Sequence, residues 1–424
     1  MLEEVIAKNY LSFKEEMCLS FEATKDSEGE KTHYVKMPDG KKLLRMAVIY
    51  GANASGKSNV LMAIRFLRGF MFEKPESMDE PTGAIPFMFD TVTPTKPSEF
   101  QLRFYVEGVR YWYSLVINRK EVVEEKLSFY KSIQPTMLFH RTNKDGKTQI
   151  KIGDIETPLK ANEIEQLQVV CLTNMSVFAA RGSVNISVPE IDRAREWLRV
   201  GLKRTITPST QLFRYAQEEM SHNDKLQPYL LDFLRHGDFN IVGFNQKKEA
   251  INLPEDVLKL LQDANLPEDK KNEMLFHLNT DFVHQVGNSR GTEVYPLTER
   301  LQSLGTKRIL GLETAIFSAR QDSGLLSIDE VESSLHPDLV EYMLEDFLRK
   351  EGESQLLLTT HYEPLLDLVG DLLRKDFVWF VEKQQDGSSD LYPLTDFRGL
   401  NKVSSFARYY RNGRFGATPN IDTL

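Results

Sequence analysis

The sequence has little of what would place a protein outside the cell or within a membrane. Its only two cysteines, Cys18 and Cys171, occur in no CxxC or Cys/His spacing, which argues against a disulfide framework and a structural zinc site. No stretch approaches the roughly 18 consecutive apolar residues that a membrane span needs. The acidic, amphipathic beginning, MLEEVIAKNY, does not resemble a secretion signal. We therefore expect a soluble, cytoplasmic protein without a membrane partner.

The sequence also lacks an excess of positive charge. Its 53 basic and 62 acidic residues leave a net charge of -9, which argues against a protein that coats nucleic acid indiscriminately. One stretch is an exception, because residues 397–421 contain no acidic residue but five basic ones: Arg398, Lys402, Arg408, Arg411 and Arg414. This stretch suits either a short helix that buries its aromatic side chains and leaves its arginines in water, or a docking site for an effector or a nucleic acid.

Hydrophobic patterning indicates strands at the beginning of the chain. Two short strands around a polar turn at residues 14–16 come first, and a strand at 43–51 follows. Residues 100–130 then predict an antiparallel meander of three strands, with turns at Glu107-Gly108 and near Asn118.

The middle and the end of the chain have different patterns. Residues 155–275 show helical periodicity with acidic and proline breaks, so a helical insertion is expected there. From about residue 290 strands and helices alternate: a strand at 324–330, a helix at 337–350, a strand at 354–361, a helix after Glu363 and a strand at 376–383. This alternation predicts a parallel sheet in an α/β protein. We expect an N-terminal lobe at 1–150, a mostly helical insertion at 151–285 and a C-terminal lobe at 286–424.

Residues 51–58 have the pattern of a phosphate-binding loop. Gly51-Ala-Asn-Ala-Ser-Gly56-Lys57-Ser58 fits GxxxxGK[ST] between a predicted strand and a predicted helix. In such a loop the backbone N–H groups face phosphate oxygens, the lysine neutralises the β- and γ-phosphates, and the serine hydroxyl completes a Mg²⁺ shell. The expected nucleotide contacts are Gly51, Asn53, Ala54, Ser55, Gly56, Lys57, Ser58 and Asn59. The simpler alternative is a glycine turn that only caps a helix.

Two adjacent acidic residues follow a second apolar strand. In Leu-Leu-Ser-Ile-Asp329-Glu330, the aspartate is placed to hold a Mg²⁺-bound water and the glutamate to polarise the attacking water, as phosphoryl transfer requires. We therefore expect Ser58 and Asp329 as metal ligands and Glu330 as a catalytic residue. An acidic strand end before a helix N-terminus is also common in α/β folds without any catalytic function.

Two further motifs lie on either side of this acidic pair. Ser303 and Gly305, in LQSLGTKR before a predicted helix, offer a hydroxyl and an unhindered backbone N–H to a γ-phosphate, although serine is also an ordinary helix N-cap. His361 ends the strand SQLLLTTH, 31 residues after Glu330. We expect it to contact the γ-phosphate, while a purely structural histidine is the alternative.

The order of these motifs resembles that of ABC-type ATPases of the SMC and RecF kind. Ser303 and Gly305 stand in the place of the signature motif, VESSLHP at 331–337 in that of the D-loop, and His361 in that of the switch histidine. More narrowly, the chain is similar to compact prokaryotic ATPases of abortive-infection and phage-defence operons. That similarity rests on GANASGKSN with Asn53, KNYLSF at 8–13, IPFMFD at 85–90, SLGTKR, and the closing RGLNKV and ARYYRNGRF.

The resemblance implies an ABC-type P-loop NTPase core with an antiparallel β subdomain and a helical insertion. It implies Mg²⁺-dependent ATP hydrolysis, with ATP held by Lys57 and Ser58 of one chain and contacted by Ser303 and Gly305 of another. A homodimer or an oligomer of dimers would then act as a switch or sensor in anti-phage defence, with a separate nuclease or toxin from the same operon as effector.

Two departures limit this transfer. No Q-loop glutamine is identified between the phosphate loop and the signature motif, so the residue that senses Mg²⁺ is unassigned. Leu11 stands where many SMC-like relatives place an arginine near the nucleotide, so that contact is not transferred.

Other functions are weighed against this one. A DNA-repair ATPase of the RecF/SMC kind, which binds DNA ends or gaps, is the main alternative. A nuclease with a C-terminal Toprim domain is disfavoured because the 63 residues that follow His361 are too few for that domain. A GTPase should carry NKxD, but the nearest stretch, Asn143-Lys-Asp-Gly146, has glycine in place of the aspartate. The meander and insertion are too large for a transporter's coupling subunit.

Overall fold

The computed structural model describes residues 1–25, 31–153, 155–156, 158–237, 239–251, 253–254, 256–257, 259–260, 264, 271 and 275–419. The strands are β1 (Leu2–Lys8), β2 (Met17–Ser20), β3 (Tyr34–Lys36), β4 (Lys42–Leu44), β5 (Met46–Tyr50), β6 (Ser98–Val106), β7 (Val109–Ile117), β8 (Val122–Tyr130), β9 (Pro135–Lys144), β10 (Lys147–Ile152), β11 (Ile241–Ala250), β12 (Phe276–Asn288), β13 (Gly291–Thr298), β14 (Leu325–Ile328), β15 (Gln355–Thr359), β16 (Val378–Lys383) and β17 (Ser389–Pro393).

The α-helices named here are α1 (Lys57–Phe72), α2 (Ala161–Val170), α3 (Val177–Arg181), α4 (Pro189–Val200), α5 (Leu212–His222), α6 (Leu226–His236), α7 (Leu304–Gln321), α8 (Pro337–Arg349) and α9 (Phe406–Arg411). None of the helices in the described ranges is both long and apolar enough to cross a membrane.

The chain forms two compact units. The first contains Met1–Pro208, Ala319–Ser333 and Leu344–Leu424, and the second contains Ser209–Ser318 and Ser334–Met343. Two of the four boundaries between the units therefore fall inside α7 and α8, and the other two follow Pro208 and Ser333. These units are defined by packing, whereas the expected division at residues 150 and 285 follows sequence character and stays a prediction.

A five-stranded sheet in the first unit has the order β14-β15-β5-β16-β17. Its first four strands are parallel, and β17 pairs antiparallel with β16 at the edge. Every residue of β5, β14 and β15 is buried, which explains their uninterrupted apolar sequences, because both faces of a parallel sheet are covered. The predicted parallel α/β core is confirmed.

Helix α1 follows the phosphate loop directly. Its buried residues Val60, Ala63, Ile64, Leu67 and Met71 recur at helical spacing and so form one apolar face. The helix ends at Phe72, shortly before Pro75. Its regular apolar stripe and its downstream proline explain why its existence could be predicted from the sequence.

The single strand predicted at 43–51 is two strands in different sheets. Arg45, which lies between β4 and β5, is almost fully buried, and its Nη1 donates to the carbonyl oxygens of Thr32 at 2.9 Å and Lys350 at 2.7 Å. Burial lowers the pKa of the Arg45 guanidinium to about 10. The single-strand prediction is wrong because a side chain that binds backbone carbonyls interrupts the apolar run.

A seven-stranded sheet in the first unit has the order β10-β9-β8-β7-β6-β1-β2 and contains the predicted meander as β6, β7 and β8. The predicted turn at Glu107-Gly108 is present, with φ of 49° and 79°. Asn118 forms the other predicted turn, because its Oδ1 accepts from the backbone N–H of Lys120 and Glu121. The sheet continues into β9 and β10, which the sequence analysis did not predict.

The second unit combines helices with a three-stranded antiparallel sheet of order β11-β12-β13. Phe282 of β12 packs against Phe244 of β11 and Phe213 of α5, with ring centroids 5.5 and 5.7 Å apart. The predicted helices at α4 and α6 are present, but residues 241–250 form a strand, so the helical prediction is wrong there. Most of the expected helical segment at 252–274 lies outside the described residues.

The helix expected after Glu363 is also different from the prediction. Glu363–Leu368 form a short 3₁₀ helix in place of an α-helix. Pro364, the second residue of the segment, is compatible with a helix start, but the segment ends after six residues at Leu368 with the tighter turns of a 3₁₀ helix.

Candidate nucleotide-binding site

Three strands of the parallel sheet end at the same edge and deliver the predicted motifs there. β5 ends at Tyr50 before the phosphate loop, β14 at Ile328 before Asp329, and β15 at Thr359, two residues before His361. Because these strands are parallel, their carboxyl ends meet at one edge, which is where ligands of open α/β sheets bind. The site therefore lies within the first unit.

Glycine is required at Gly56 in the phosphate loop. Its φ is +109°, and a Cβ built there would lie 2.4 Å from Ser389 Oγ and 2.7 Å from Ser12 Oγ. Ala54 also has a positive φ of 58°, a conformation that a non-glycine residue rarely adopts. The loop is thus a tightly enclosed turn whose backbone is held in an unusual conformation.

Residues that the sequence analysis did not select support the loop from outside. Ser389 Oγ donates to the carbonyl oxygen of Ser55 at 2.5 Å, and Asn59 Nδ2 donates to Ser12 Oγ at 2.7 Å. The Ser389 N–H in turn donates to the carbonyl oxygen of Ser12 at 2.8 Å. Ser12 lies in the KNYLSF stretch and Ser389 in no selected motif, and because they come from distant parts of the chain, no local pattern could have identified their contact.

The Lys57 side chain is buried within the loop. Its Nζ donates to the carbonyl oxygens of Gly51 at 2.9 Å and Ala52 at 3.0 Å. Burial lowers the pKa of Lys57, while the carboxylates of Asp329, Glu330 and Glu332 act in the opposite direction. The ammonium is therefore directed into the loop and lies in the field of three acidic groups.

The two expected metal ligands meet directly. Ser58 Oγ donates to Asp329 Oδ1 at 3.1 Å, and Thr359 Oγ1 donates to the same oxygen at 2.6 Å. A hydroxyl and a carboxylate are hard oxygen donors, and Mg²⁺ is commonly held by one or two such protein groups while it keeps several waters. Ser58 and Asp329 therefore fit a Mg²⁺ ion bound next to the phosphate loop.

Glu330 adopts a left-handed backbone conformation with a φ of +48°. Such a conformation costs roughly 1–3 kcal/mol in a non-glycine residue and persists where the surroundings enforce it. Thr359 provides part of that enforcement, because its Oγ1 accepts from the Glu330 N–H at 2.9 Å. One threonine hydroxyl thus fixes both acidic residues of the motif.

His361 follows β15 beside the same acidic turn. Its backbone N–H donates to Glu332 Oε1 at 2.6 Å, and Thr360 Oγ1 donates to Glu332 Oε2 at 2.8 Å. Burial, and to a smaller degree the charge of Lys57, lowers the pKa of His361 despite the nearby carboxylates. The lowered pKa favours the neutral imidazole, which can donate one hydrogen bond.

The signature-like residues belong to the second unit. Ser303 Oγ accepts from the Thr306 N–H at 3.0 Å and lies 2.8 Å from Thr306 Oγ1, so Ser303 caps α7. A Cβ at Gly305 would lie 3.0 Å from the carbonyl oxygen of Ser334. Leu301 and Leu304, on either side of Ser303, are 71% and 75% exposed. The packing that unites Lys57, Ser58, Asp329, Glu330 and His361 in one unit does not include Ser303 and Gly305.

The basic end of the chain forms the expected short helix, α9. Phe406, Tyr410 and Phe415 are buried, and the rings of Tyr410 and Phe415 stack on Phe380 of β16 with centroids 5.4 and 5.6 Å apart. Arg408, Arg411 and Arg414 are exposed. These three aromatic side chains therefore pack in the core, whereas Tyr409 is half-buried and the three arginines are presented to solvent.

A strand, a glycine loop with a buried lysine and a helix, with the loop serine bonded to an aspartate at the end of another parallel strand of the same sheet, define a P-loop nucleotide-binding protein. The chain belongs to the family described as "AAA domain, putative AbiEii toxin, Type IV TA system", whose profile matches residues 46–367. This match confirms the resemblance to abortive-infection ATPases. No curated protein sequence matches the chain significantly.

Two solved structures are remotely similar to the chain. An SMC head domain from Thermotoga maritima is 12% identical, with 92% of this chain and 98% of that chain covered, at a TM-score of 0.42. A structure described as an SmcHead bound to the C-winged helix domain of ScpA is 14% identical, with 92% and 97% covered, at a TM-score of 0.41. Similarity at this level does not assign a partner or an activity.

Proposed function

We propose that the protein binds ATP with Mg²⁺ and hydrolyses it. The observation that carries this proposal is the hydrogen bond of Ser58 with Asp329, whose other partner, the Thr359 hydroxyl, also accepts from the N–H of Glu330. A glycine loop that only caps a helix would not require a serine hydroxyl and a strand-end carboxylate to converge. Two hard oxygen donors next to a buried lysine suit a metal-bound triphosphate.

Each residue of the site has a proposed function in hydrolysis. Lys57 and the backbone N–H groups of the loop bind the phosphates, and Ser58 and Asp329 hold Mg²⁺, which neutralises charge that develops on the phosphate oxygens. Glu330 accepts a proton from the attacking water, and its fixed backbone limits where the carboxylate can reach. His361 donates a hydrogen bond to the γ-phosphate.

We propose further that the complete site forms between two chains. Ser303 and Gly305 lie at the N-terminus of α7, where the helix dipole and free N–H groups favour an anion. The exposed leucines beside Ser303 suit burial against a second protein surface. In this arrangement Ser303 and Gly305 of one chain contact the γ-phosphate of ATP bound to the other, in a homodimer or an oligomer of dimers.

ATP-driven closing and opening of this dimer would make the protein a switch or sensor in anti-phage defence, with a separate nuclease or toxin as effector. The family description supports this context because it refers to a toxin of a toxin–antitoxin system. The alternative of a DNA-repair ATPase that binds DNA ends or gaps has less support, since that description does not refer to DNA repair.

The variant Glu330→Gln tests hydrolysis and dimer closure together. An amide still fits the site but is a poor proton acceptor, so turnover should fall by about 10²–10⁴-fold while ATP binding persists. The ATP-bound dimer should then accumulate, and light scattering should show a doubling of mass on addition of ATP and Mg²⁺.

Glu351→Gln, which changes an exposed carboxylate beyond α8, is the matched control and should behave as the unchanged protein. If Glu330→Gln turns over ATP at the rate of this control, the proposed catalytic function of Glu330 is wrong. If ATP binds without any change in mass, either the protein is already an oligomer without ATP, which its mass before addition shows, or the proposed closure of two chains around ATP is wrong.

A further inference from the structure

Glu332 makes two hydrogen bonds that no part of the proposed chemistry requires. It lies two residues beyond Glu330, and its two carboxylate oxygens accept separately from the His361 N–H at 2.6 Å and the Thr360 hydroxyl at 2.8 Å. A carboxylate that uses both oxygens on two adjacent residues fixes their orientation as well as their distance. Glu332 therefore ties the turn after β14 to the segment that leads into His361.

Thr359 and Thr360 also join these two segments, and each threonine contacts different acidic residues of the turn after β14. Thr359 Oγ1 contacts Asp329 and Glu330, and the Thr359 carbonyl oxygen accepts from the Val331 N–H at 3.1 Å. Thr360 Oγ1 also accepts from the Tyr362 N–H at 2.9 Å. Residues 329–332 and 359–362 thus form one hydrogen-bonded block, and Glu332 is the member that reaches His361.

We infer that Glu332 is a positioning residue for ATP hydrolysis, which sets the place of His361 relative to Glu330. This inference rests on the proposed function. Glu330 accepts the proton of the attacking water in that proposal, and His361 contacts the γ-phosphate, so the two must keep a fixed separation. Misplacement of a reacting group by about 1 Å can cost on the order of 10²-fold in rate. Glu332 is the side chain whose contacts hold that separation.

The contacts distinguish a positioning function from a catalytic one. Glutamine at position 332 could still accept from the His361 N–H with its amide oxygen. Its amide N–H could donate to Thr360, because a hydroxyl can rotate and accept. A carboxylate that removes a proton cannot be replaced in this way. Glu332→Gln should therefore retain most of the activity, unlike Glu330→Gln.

The experiment measures kcat and KM for ATP in Glu332→Ala, Glu332→Gln and the control Glu351→Ala. We expect Glu332→Ala to lower kcat by about 10–10²-fold with KM nearly unchanged, because Lys57 and Ser58 keep their contacts. Glu332→Gln should stay close to the control. Equal losses in the two Glu332 variants would overturn the positioning inference, as would a change confined to KM.

A double-mutant cycle with His361→Ala tests the route of the effect. If Glu332 acts through His361, Glu332→Ala should add little to the loss caused by His361→Ala, whereas full additivity of the two losses would contradict the inference. Should Glu332→Ala fail to fold, Thr360→Val removes the Thr360 bond to Glu332 with little change in shape, together with the bond from the Tyr362 N–H, and should lower kcat in the same direction. An unchanged kcat in Thr360→Val would then count against it.

The outcomes separate this inference from the proposed function. Absence of Mg²⁺-dependent turnover in the unchanged protein would defeat the proposed function itself. Normal turnover in the unchanged protein together with normal kcat in Glu332→Ala would defeat only the inference about Glu332.

Discussion

The phosphate-loop edge of the first unit and the beginning of α7 in the second unit prepare for a nucleotide in different ways. At the phosphate-loop edge the polar side chains contact one another: Ser58 and Thr359 converge on Asp329, and Lys57 is buried against backbone carbonyls. At α7 the Ser303 hydroxyl contacts its own helix, and the adjacent leucines are exposed. We call the first region inward-built because its polar groups bind one another within the unit, and the second outward-built because its apolar side chains face solvent.

The difference teaches what each region needs for its function. Buried, mutually bonded groups are held in place by the fold, so the phosphate-loop edge can bind a nucleotide with groups from its own unit. A capped helix N-terminus between exposed leucines can offer N–H groups and apolar surface, but it encloses nothing by itself. We therefore regard the two regions as complementary halves of the proposed composite site.

Removal of the Lys57 charge is the most severe way to break the inward-built half. Lys57→Ala removes the ammonium group, which faces the loop and lies near three carboxylates. The remaining groups of the site cannot replace its positive charge. We expect ATP turnover to fall by at least about 10²–10³-fold, with nucleotide binding lost or strongly weakened. The hydrolysis of radiolabelled ATP measures the first effect, and equilibrium binding of ATP measures the second.

Lys74→Ala, which changes an exposed lysine just beyond α1, is the control and should leave both measurements unchanged. Undiminished turnover by Lys57→Ala would contradict the assignment of the phosphate loop.

Bulk at Ser303 should break the outward-built half without touching the first. Ser303→Arg should leave ATP binding nearly intact and lower turnover by about 10²–10³-fold, because the arginine would clash with the γ-phosphate of the opposite chain. Mixing then tests the sharing of sites directly. Chains with Ser303→Arg and chains with Lys57→Ala should together regain about a quarter of the wild-type sites if they pair at random.

The loss of the α7 cap needs its own control, since replacing an N-cap costs about 1 kcal/mol. Ser303→Asp keeps a good capping residue but places a negative charge at the γ-phosphate, so it should be inactive and stable. Ser303→Ala removes the cap without adding bulk or charge. If verified mixed dimers of the Ser303→Arg and Lys57→Ala chains remain inactive, sites shared between chains are not supported.

The inward-built half was largely predictable from the sequence, and the reason is local. The phosphate loop, Asp329 and Glu330 each follow a buried apolar strand, and a glycine with positive φ at Gly56 leaves a clear pattern. The parallel order of these strands then brings the motifs to one edge. Local sequence was sufficient because each motif contains the functional residues and directly follows the apolar strand that positions them.

The supporting contacts were not predictable because they join distant segments. Ser12 and Ser389 meet at the loop although 377 positions separate them in the sequence, and the KNYLSF stretch that contains Ser12 gave no indication of this contact. Thr359 and Thr360 had a weak signal, since two threonines directly precede His361 at the end of a buried strand. The interruption at Arg45 was missed because its contacts with backbone carbonyls depend on tertiary packing.

The smallest expected effect on catalysis concerns the exposed arginines of α9 and the residues after it. Changing Arg408, Arg411 and Arg414 to Glu should leave folding and basal ATPase activity nearly unchanged, because the buried aromatic residues of this segment are untouched. The triple change breaks the ion pair of Arg411 Nε with Glu363 Oε2 at 2.6 Å, and exposed pairs contribute only about 0–1 kcal/mol. Thermal unfolding and ATP turnover check both expectations.

The same variant should lose binding to the ligand that this surface serves, whether an effector protein or a nucleic acid. Phe406, Tyr410 and Phe415 are buried and offer no ring to bases, and the half-buried ring of Tyr409 lies under the Arg414 guanidinium, 5.1 Å from its centroid. A nucleic acid would therefore be held mainly through its phosphates. The protein should then bind single-stranded and duplex DNA with similar affinity, and this binding should weaken steeply with salt. If the ligand is an effector protein, the protein should bind it whether or not either form of DNA is bound. Changing Lys96, Arg119 and Lys120, three exposed basic residues elsewhere in the first unit, to Glu is the matched control. Equal binding of the effector and of both DNA forms by the two triple variants would show that the arginines of this segment are only a solvated surface.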